Sequence, residues 1–94
     1  MKQSYIYILS NKNRTVLYIG VTSNLKLRIT QHKEAINKSF TKRYNVHYLL
    51  YYETFTDISQ AIKREKQLKN WNREWKLDLI KELNPKLVDL YTGL

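Results

Sequence analysis

Three polar residues stand where helical periodicity asks for core. Arg28 and His32 follow Leu25 by three and seven positions, on the stripe marked by Leu25, Ile29 and Ile36. Glu65 lies midway between Ile62 and Leu68 on the apolar stripe of a second helical stretch. A guanidinium or carboxylate turned towards apolar surroundings is costly unless an opposite charge, a metal ion or a wet cleft meets it. The residues themselves leave two readings open. In one, Arg28 and Glu65 pair internally and His32 is a packed, hydrogen-bonded histidine. In the other, the Arg28 fork takes a phosphate and Glu65 holds a hard cation. Two phenols, Tyr7 and Tyr18, stand nearby in strand-like sequence. They either cover a sheet or join the polar group.

The elements that must position these side chains follow from pattern. Ser4 to Leu9 is rich in β-formers, Ser10 to Thr15 is polar and turn-like, and Val16 to Val21 is a second strand. The two strands form an antiparallel hairpin. With Tyr7 opposite Tyr18, alternation puts Tyr5, Tyr7, Val16, Tyr18 and Gly20 on one face. Ile6, Ile8, Leu17 and Ile19 fall on the other, aliphatic face. A tight exit at Gly20 and a start at Ser23 or Asn24 lead into a first helix reaching Asn37. Lys38 to Asn45 is a basic connector with two aromatics, and Lys42 and Arg43 there suit phosphate contact.

His47 to Phe55 reads as a third strand, with Leu49, Tyr51 and Glu53 alternating against Tyr48, Leu50, Tyr52 and Thr54. His47 itself is incidental. Thr56 or Asp57 caps a second helix whose stripe is Ile58, Ala61, Ile62 and Leu68. Lys63, Arg64, Lys66 and Lys69 point away from that stripe, to solvent or nucleic acid. Asn72 caps a third helix, Arg73 to Leu83, with Trp75, Leu79 and Leu83 as its core face, and Asn84-Pro85 ends it. Lys66, Lys69, Arg73 and Lys76 form a basic rim across these two helices. The tail, Lys86 to Leu94, packs back on the body and carries no chemistry. The fold class expected is α/β, of the α+β kind: one small domain, residues 1–94, with a three-stranded antiparallel sheet flanked by helices.

Composition narrows the function classes. Seventeen Lys and Arg against eight Asp and Glu leave a net charge of +9, an excess that favours polyanions. The absence of cysteine excludes disulfides and thiolate metal sites. The N-terminus lacks the apolar core of a signal peptide, and no run approaches the ~18 apolar residues that span a bilayer. No helix joins a broad apolar face to a purely basic one, which argues against a membrane surface. A cytoplasmic location is expected. The oligomeric state is not fixed by the sequence.

The chain resembles the GIY-YIG nuclease superfamily, most closely its small stand-alone members. The resemblance rests on Tyr5-Ile6-Tyr7, Tyr18-Ile19-Gly20, the Arg28-x-x-x-His32 helix and the run Arg64-Glu65-Lys66-Gln67-Leu68-Lys69-x-Trp71, and extends from about Ser4 to Leu83. It implies that Tyr7, Tyr18, Arg28, His32 and Glu65 meet in one site. It also implies that Glu65 binds one divalent cation, Mg2+ or Mn2+, and that the substrate is nucleic acid, DNA first. Phosphodiester hydrolysis would suit these types: a metal and Arg28 to neutralise charge, and a phenol to take a proton. Tyr7 is expected to be that acceptor with Tyr18 as partner, its pKa lowered from ~10 by neighbouring cations.

The pattern departs from the family at Tyr5, where glycine is usual. It departs again at Val21, where some members carry a lysine, so that one phosphate contact is missing. Neither Asn70 nor Asn72 aligns clearly with the family's later asparagine. Two other classes remain: a nucleic-acid-binding module without activity, and a structural domain in which Arg28 and Glu65 merely pair.

Overall fold

The computed structural model describes residues 3–34 and 46–94. Three antiparallel strands form one sheet: β1 (Ser4–Ser10), β2 (Leu17–Thr22) and β3 (Tyr48–Phe55), in the order β2-β1-β3. Among the described residues three α-helices follow the expected order, α1 (Leu25–Lys33), α2 (Ile58–Lys69) and α3 (Arg73–Leu83), with a short 3-10 turn at Leu90–Gly93. Each helix starts at a side chain that satisfies an orphan amide. Asn24, Asp57 and Asn72 accept from the amides of Leu27, Ser59 and Trp75. Asn24 is therefore the cap of α1 and not its first turn, and Asp57 rather than Thr56 caps α2. The expected end of α1 at Asn37, its Ile36, and the basic connector with Lys42 and Arg43 lie outside the described residues.

The hairpin register differs from the expected one by two residues. Tyr7 stands opposite Gly20, and Tyr18 opposite Leu9. A shift of two keeps every side chain on its expected face, because strand alternation has period two. What changes is the neighbour: Tyr7 crosses a glycine instead of meeting a second phenol. β2 also begins one residue later than expected, because Asn11 holds the turn by accepting from the amides of Thr15 and Val16.

Both faces of the sheet are covered, so the tyrosine face is also core. On one side Tyr7, Leu9, Leu25, Ile29, Val46 and Leu49 are buried together, with Tyr18, Tyr52, Leu90 and Tyr91 packed around them. On the other, Ile6, Ile8, Ile19, Leu50, Tyr51, Ala61, Leu68 and Ile80 pack under α2 and α3. The tail supplies more than cover. Asp89 accepts from the Leu49 and Tyr91 amides and pairs with Lys33 at 2.5 Å.

Three expectations about faces fail. The alternation in β3 is broken by a register shift between Ile8 and Leu9, where Tyr51 and Leu49 take successive partners and Leu50 is passed over. The bulge sends Leu49 to the tyrosine side and leaves Leu50 and Tyr51 together on the aliphatic side. On α2 only Ala61 and Leu68 are buried, while Ile58 and Ile62 are exposed. On α3 the buried residue is Ile80, and Trp75 and Leu83 face outward, 56% and 54% exposed. The sheet is narrow, and a helix lying on it buries a thinner stripe than an apolar count suggests.

Candidate active site

The aromatic centre of the site is a triangle. Tyr7, Tyr18 and His32 hold their rings at 6.4 Å (Tyr7–Tyr18), 5.8 Å (Tyr7–His32) and 5.8 Å (Tyr18–His32). The Tyr7 hydroxyl lies 3.2 Å from His32 Nε2. Gly20 makes that reach possible. A Cβ there would stand 2.5 Å from Tyr7 Cζ and closer still to its hydroxyl, so only glycine lets the phenol cross β2. The motif's glycine is thus a matter of close approach.

Arg28 and Glu65 complete the group by charge. Burial pushes the Tyr7 phenol well above its ordinary value, the nearby Tyr18 adds to that, Arg28 pulls the other way, and Glu65 raises it further. This corrects the expectation that neighbouring cations lower the Tyr7 pKa. The phenol is almost wholly buried, and desolvation of a phenolate outweighs one guanidinium. His32 is pushed below its ordinary value, first by burial and then by Arg28, so it stands neutral. Its Nδ1 is buried without a hydrogen-bond partner among the described residues. The neutral imidazole can accept the Tyr7 proton at Nε2, which would place its own proton on the unpartnered Nδ1.

The expected internal pair between Arg28 and Glu65 is not formed. Among the described residues Arg28 has no carboxylate within ion-pair distance, and Glu65 pairs instead with the exposed Lys69 at 3.4 Å. Lys69 is one turn on along α2, so its flexible stem reaches Glu65 without any rearrangement. Arg28 also lines an open cleft of about 600 Å³ with Ser4, Thr22, Ser23, Thr56 and Asp57, a volume in the range of ligand sites.

No group of three or more metal-binding side chains is found among the described residues. Glu65 therefore offers one carboxylate, 20% exposed. That suits a hard ion of the Mg2+ type, which keeps several waters and takes the rest of its shell from substrate phosphate.

The basic rim is only partly as expected. Lys66 and Lys69 are exposed and Lys76 is half-buried. Arg73 donates to the carbonyls of Thr15 and Arg14, so it clamps the β1–β2 turn. Arg64, expected to face solvent or nucleic acid, forms a fork on Glu53, with Nε 3.0 Å from Oε1 and Nη2 3.0 Å from Oε2. Tyr51 donates to the same carboxylate at 2.5 Å, and the guanidinium lies 5.3 Å from the Trp71 ring centre. Sequence reading missed this network. The one signal for it was Glu53 in an otherwise apolar strand.

Known proteins resemble this chain over most of its length. The family model described as the GIY-YIG catalytic domain, a nuclease family, matches residues 3–78. A UPF0213 protein of Staphylococcus haemolyticus is 35% identical over 82 residues, covering 87% of this chain and 99% of its own length. One from Syntrophus aciditrophicus is 36% identical over 86 residues, covering 90% and 97%. The solution NMR structure of a UPF0213 protein from Bacillus halodurans superposes with a TM-score of 0.53 at 25% identity, covering 84% of this chain and 83% of that one. A match over most of the chain, carried by the strands and helices that bring Tyr7, Tyr18, Arg28 and His32 together, places this chain in the GIY-YIG family.

Proposed function

We propose that this protein is a metal-dependent endonuclease that hydrolyses phosphodiester bonds in DNA, acting in the cytoplasm in DNA repair or processing. The observation that carries the reading is that Arg28 has no carboxylate partner among the described residues. Arg28 lines an open cleft, Tyr7, Tyr18 and His32 pack as one aromatic cluster, and both Arg28 and Glu65 act electrostatically on Tyr7. Structural polar clusters satisfy their own charges, whereas this one is completed by a phosphate and a cation.

In this reading the Arg28 fork binds the non-bridging oxygens of the scissile phosphate and stabilises the charge that grows there. Tyr7 keeps its proton, because burial disfavours its phenolate, and hydrogen-bonds to His32. That moves the proton-acceptor role to Tyr18. Tyr18 is only half-buried and stands against the same imidazole. Glu65 would hold a Mg2+ or Mn2+ ion, which when bound supplies a Lewis acid for the phosphate and the leaving 3′ oxygen. Lys66, Lys69 and Lys76, with Lys42 and Arg43 of the connector, supply sequence-independent attraction for the backbone, which weakens with salt. Arg73 contributes through the turn it clamps.

The test is direct. Purified protein is incubated with branched, flapped, single-stranded and duplex DNA and with RNA, each with Mg2+, with Mn2+ and with chelator. Cleavage that requires the ion and is lost in Glu65→Gln supports the reading. Salt-sensitive binding with no cleavage under any condition points instead to an inactive binding module.

A further inference from the structure

The α3 side of the molecule carries a feature that neither the tyrosine site nor a basic nucleic-acid surface accounts for. Trp71 and Trp75 meet edge to face at 5.9 Å and 86°, and with Leu79, Asp78 and Glu82 they line an open cleft of about 330 Å³. Trp75 lies more than half in solvent. On a chain of net charge +9, three of the eight acids stand here, Glu74, Asp78 and Glu82, four residues apart along one helix. None of the three is in an ion pair among the described residues.

Helix stability does not explain the pattern. Like charges four residues apart repel. Glu82 stands in the last turn of α3, where the helix dipole disfavours a carboxylate. Glu74 alone has a local reason, at the favourable N-terminal end. An exposed indole beside two unpaired carboxylates is complementary to a group that is flat, cationic and carried on an apolar stem.

We infer that the Trp71–Trp75 cleft is a docking site for a basic polypeptide segment of a partner protein, anchored by an arginine. The stem and guanidinium plane would lie on the Trp75 indole while the fork meets Asp78 and Glu82. The molecule already contains this recognition once: Arg64 lies over Trp71 and forks onto Glu53. A nucleic acid does not fit, because the carboxylates repel phosphate. A second copy meeting the same face antiparallel fits poorly, because the acidic flank would meet its own image. Leu79 and Ile80 place α3 on the aliphatic side of the sheet, away from the tyrosine cluster, so the partner would leave that site open.

The chain's two tryptophans make the test local. A short helical peptide with arginines four residues apart, flanked by leucines, is titrated into the whole protein while the two indole N–H signals are followed by NMR. The expected result is a saturable shift of the Trp75 signal. Binding should be at least ~10-fold weaker for the same peptide with citrulline for arginine. It should weaken equally for Asp78→Asn/Glu82→Gln, whose exposed positions keep the protein folded, with a melting temperature no lower than that of wild type. The inference is overturned by no saturable shift, by equal binding of the citrulline peptide, or by equal binding of the double variant. It is also overturned if duplex DNA moves the same signals saturably. Sedimentation showing self-association that Trp75→Ala abolishes would give the face to a second copy instead. None of these readouts depends on nuclease activity.

Discussion

The molecule carries two groups of a tyrosine, an arginine and a carboxylate, one drawing on Arg64 and the other on Glu65 of α2, and uses them in opposite ways. On the aliphatic side Tyr51, Glu53 and Arg64 close on one another: the carboxylate accepts from the phenol and from both arms of the guanidinium, and Arg64 also reaches Gln67 at 2.7 Å. Every charge has its counter-charge. In the other group Tyr7, Arg28 and Glu65 do not close. Arg28 and Glu65 stay apart, His32 packs against both phenols, and one of its ring nitrogens has no partner among the described residues. The same residue types make a strut where they satisfy one another and a site where they do not.

The largest effect that can break this comparison is on activity. Arg28→Ala should lower cleavage by ~10²–10³-fold, the usual loss for one preorganised charge donor, while the melting temperature hardly moves. Glu65→Gln should abolish ion-dependent cleavage and keep or strengthen DNA binding, since one negative charge leaves the phosphate site. Its stability should stay within about 0.5 kcal/mol of wild type, because its partner Lys69 is 54% exposed and such pairs contribute little. A steep drop in melting temperature for Glu65→Gln would turn the open side into a second strut.

The strut should behave in reverse. Glu53→Gln leaves the Arg64 charge with no counter-charge in a pair only 23% exposed on each side, and should cost about 2–3 kcal/mol in denaturant unfolding. Cleavage at a temperature where the variant is folded should persist, unless α2 shifts, since Glu65 is the next residue after Arg64. Equal stability of Glu53→Gln and Glu65→Gln would erase the distinction between the two groups.

A smaller and more local effect is expected at Gly20. Gly20→Ala places a methyl against the Tyr7 ring, and overpacking of this kind costs about 1–2 kcal/mol. Tyr7→Leu in the same chain should recover stability without recovering cleavage. If Gly20→Ala is neutral in both respects, Tyr7 does not need its path across β2.

What the sequence made legible follows the same division. Strand alternation and capping residues located the three strands and three helices, because those signals are local. Arg28, His32 and Glu65 stood out because they interrupt stripes. The faces of Tyr7 and Tyr18 were right although the register was not, since an error of two residues is invisible to alternation. The Leu50 bulge, the Glu53–Arg64 fork and the exposure of Ile58, Ile62 and Trp75 were not legible. Each depends on how wide the sheet is and where α2 and α3 cross it, and no local pattern encodes that. Arg64 in particular looks like any lysine-flanked surface arginine until β3 supplies Glu53.

The smallest expected effect is on pH, and it separates the two groups without any substrate. Burial and Arg28 hold the His32 pKa below the ordinary histidine value of about 6.5. Below that value the unfolded chain takes a proton on His32 that the folded chain refuses. The contribution of His32 is therefore fully present above about pH 6.5 and is lost as the pH falls through the depressed folded value, by at most ~1.4 kcal/mol per pH unit. His32→Gln removes the titration but keeps an acceptor for Tyr7. The difference in unfolding free energy between wild type and His32→Gln should be flat above that pH and fall below it. His47, Asp57 and Asp89 are present in both proteins and cancel. On the strut side no such window is expected, because Tyr51 is pushed above its ordinary range and Arg64 is raised as well, so neither changes charge near neutrality. Parallel curves for the two proteins between pH 7 and 5 would mean that His32 titrates as it does in water. The tyrosine face would then be wet around a charged imidazole, and His32 could not serve as the neutral acceptor of the Tyr7 proton.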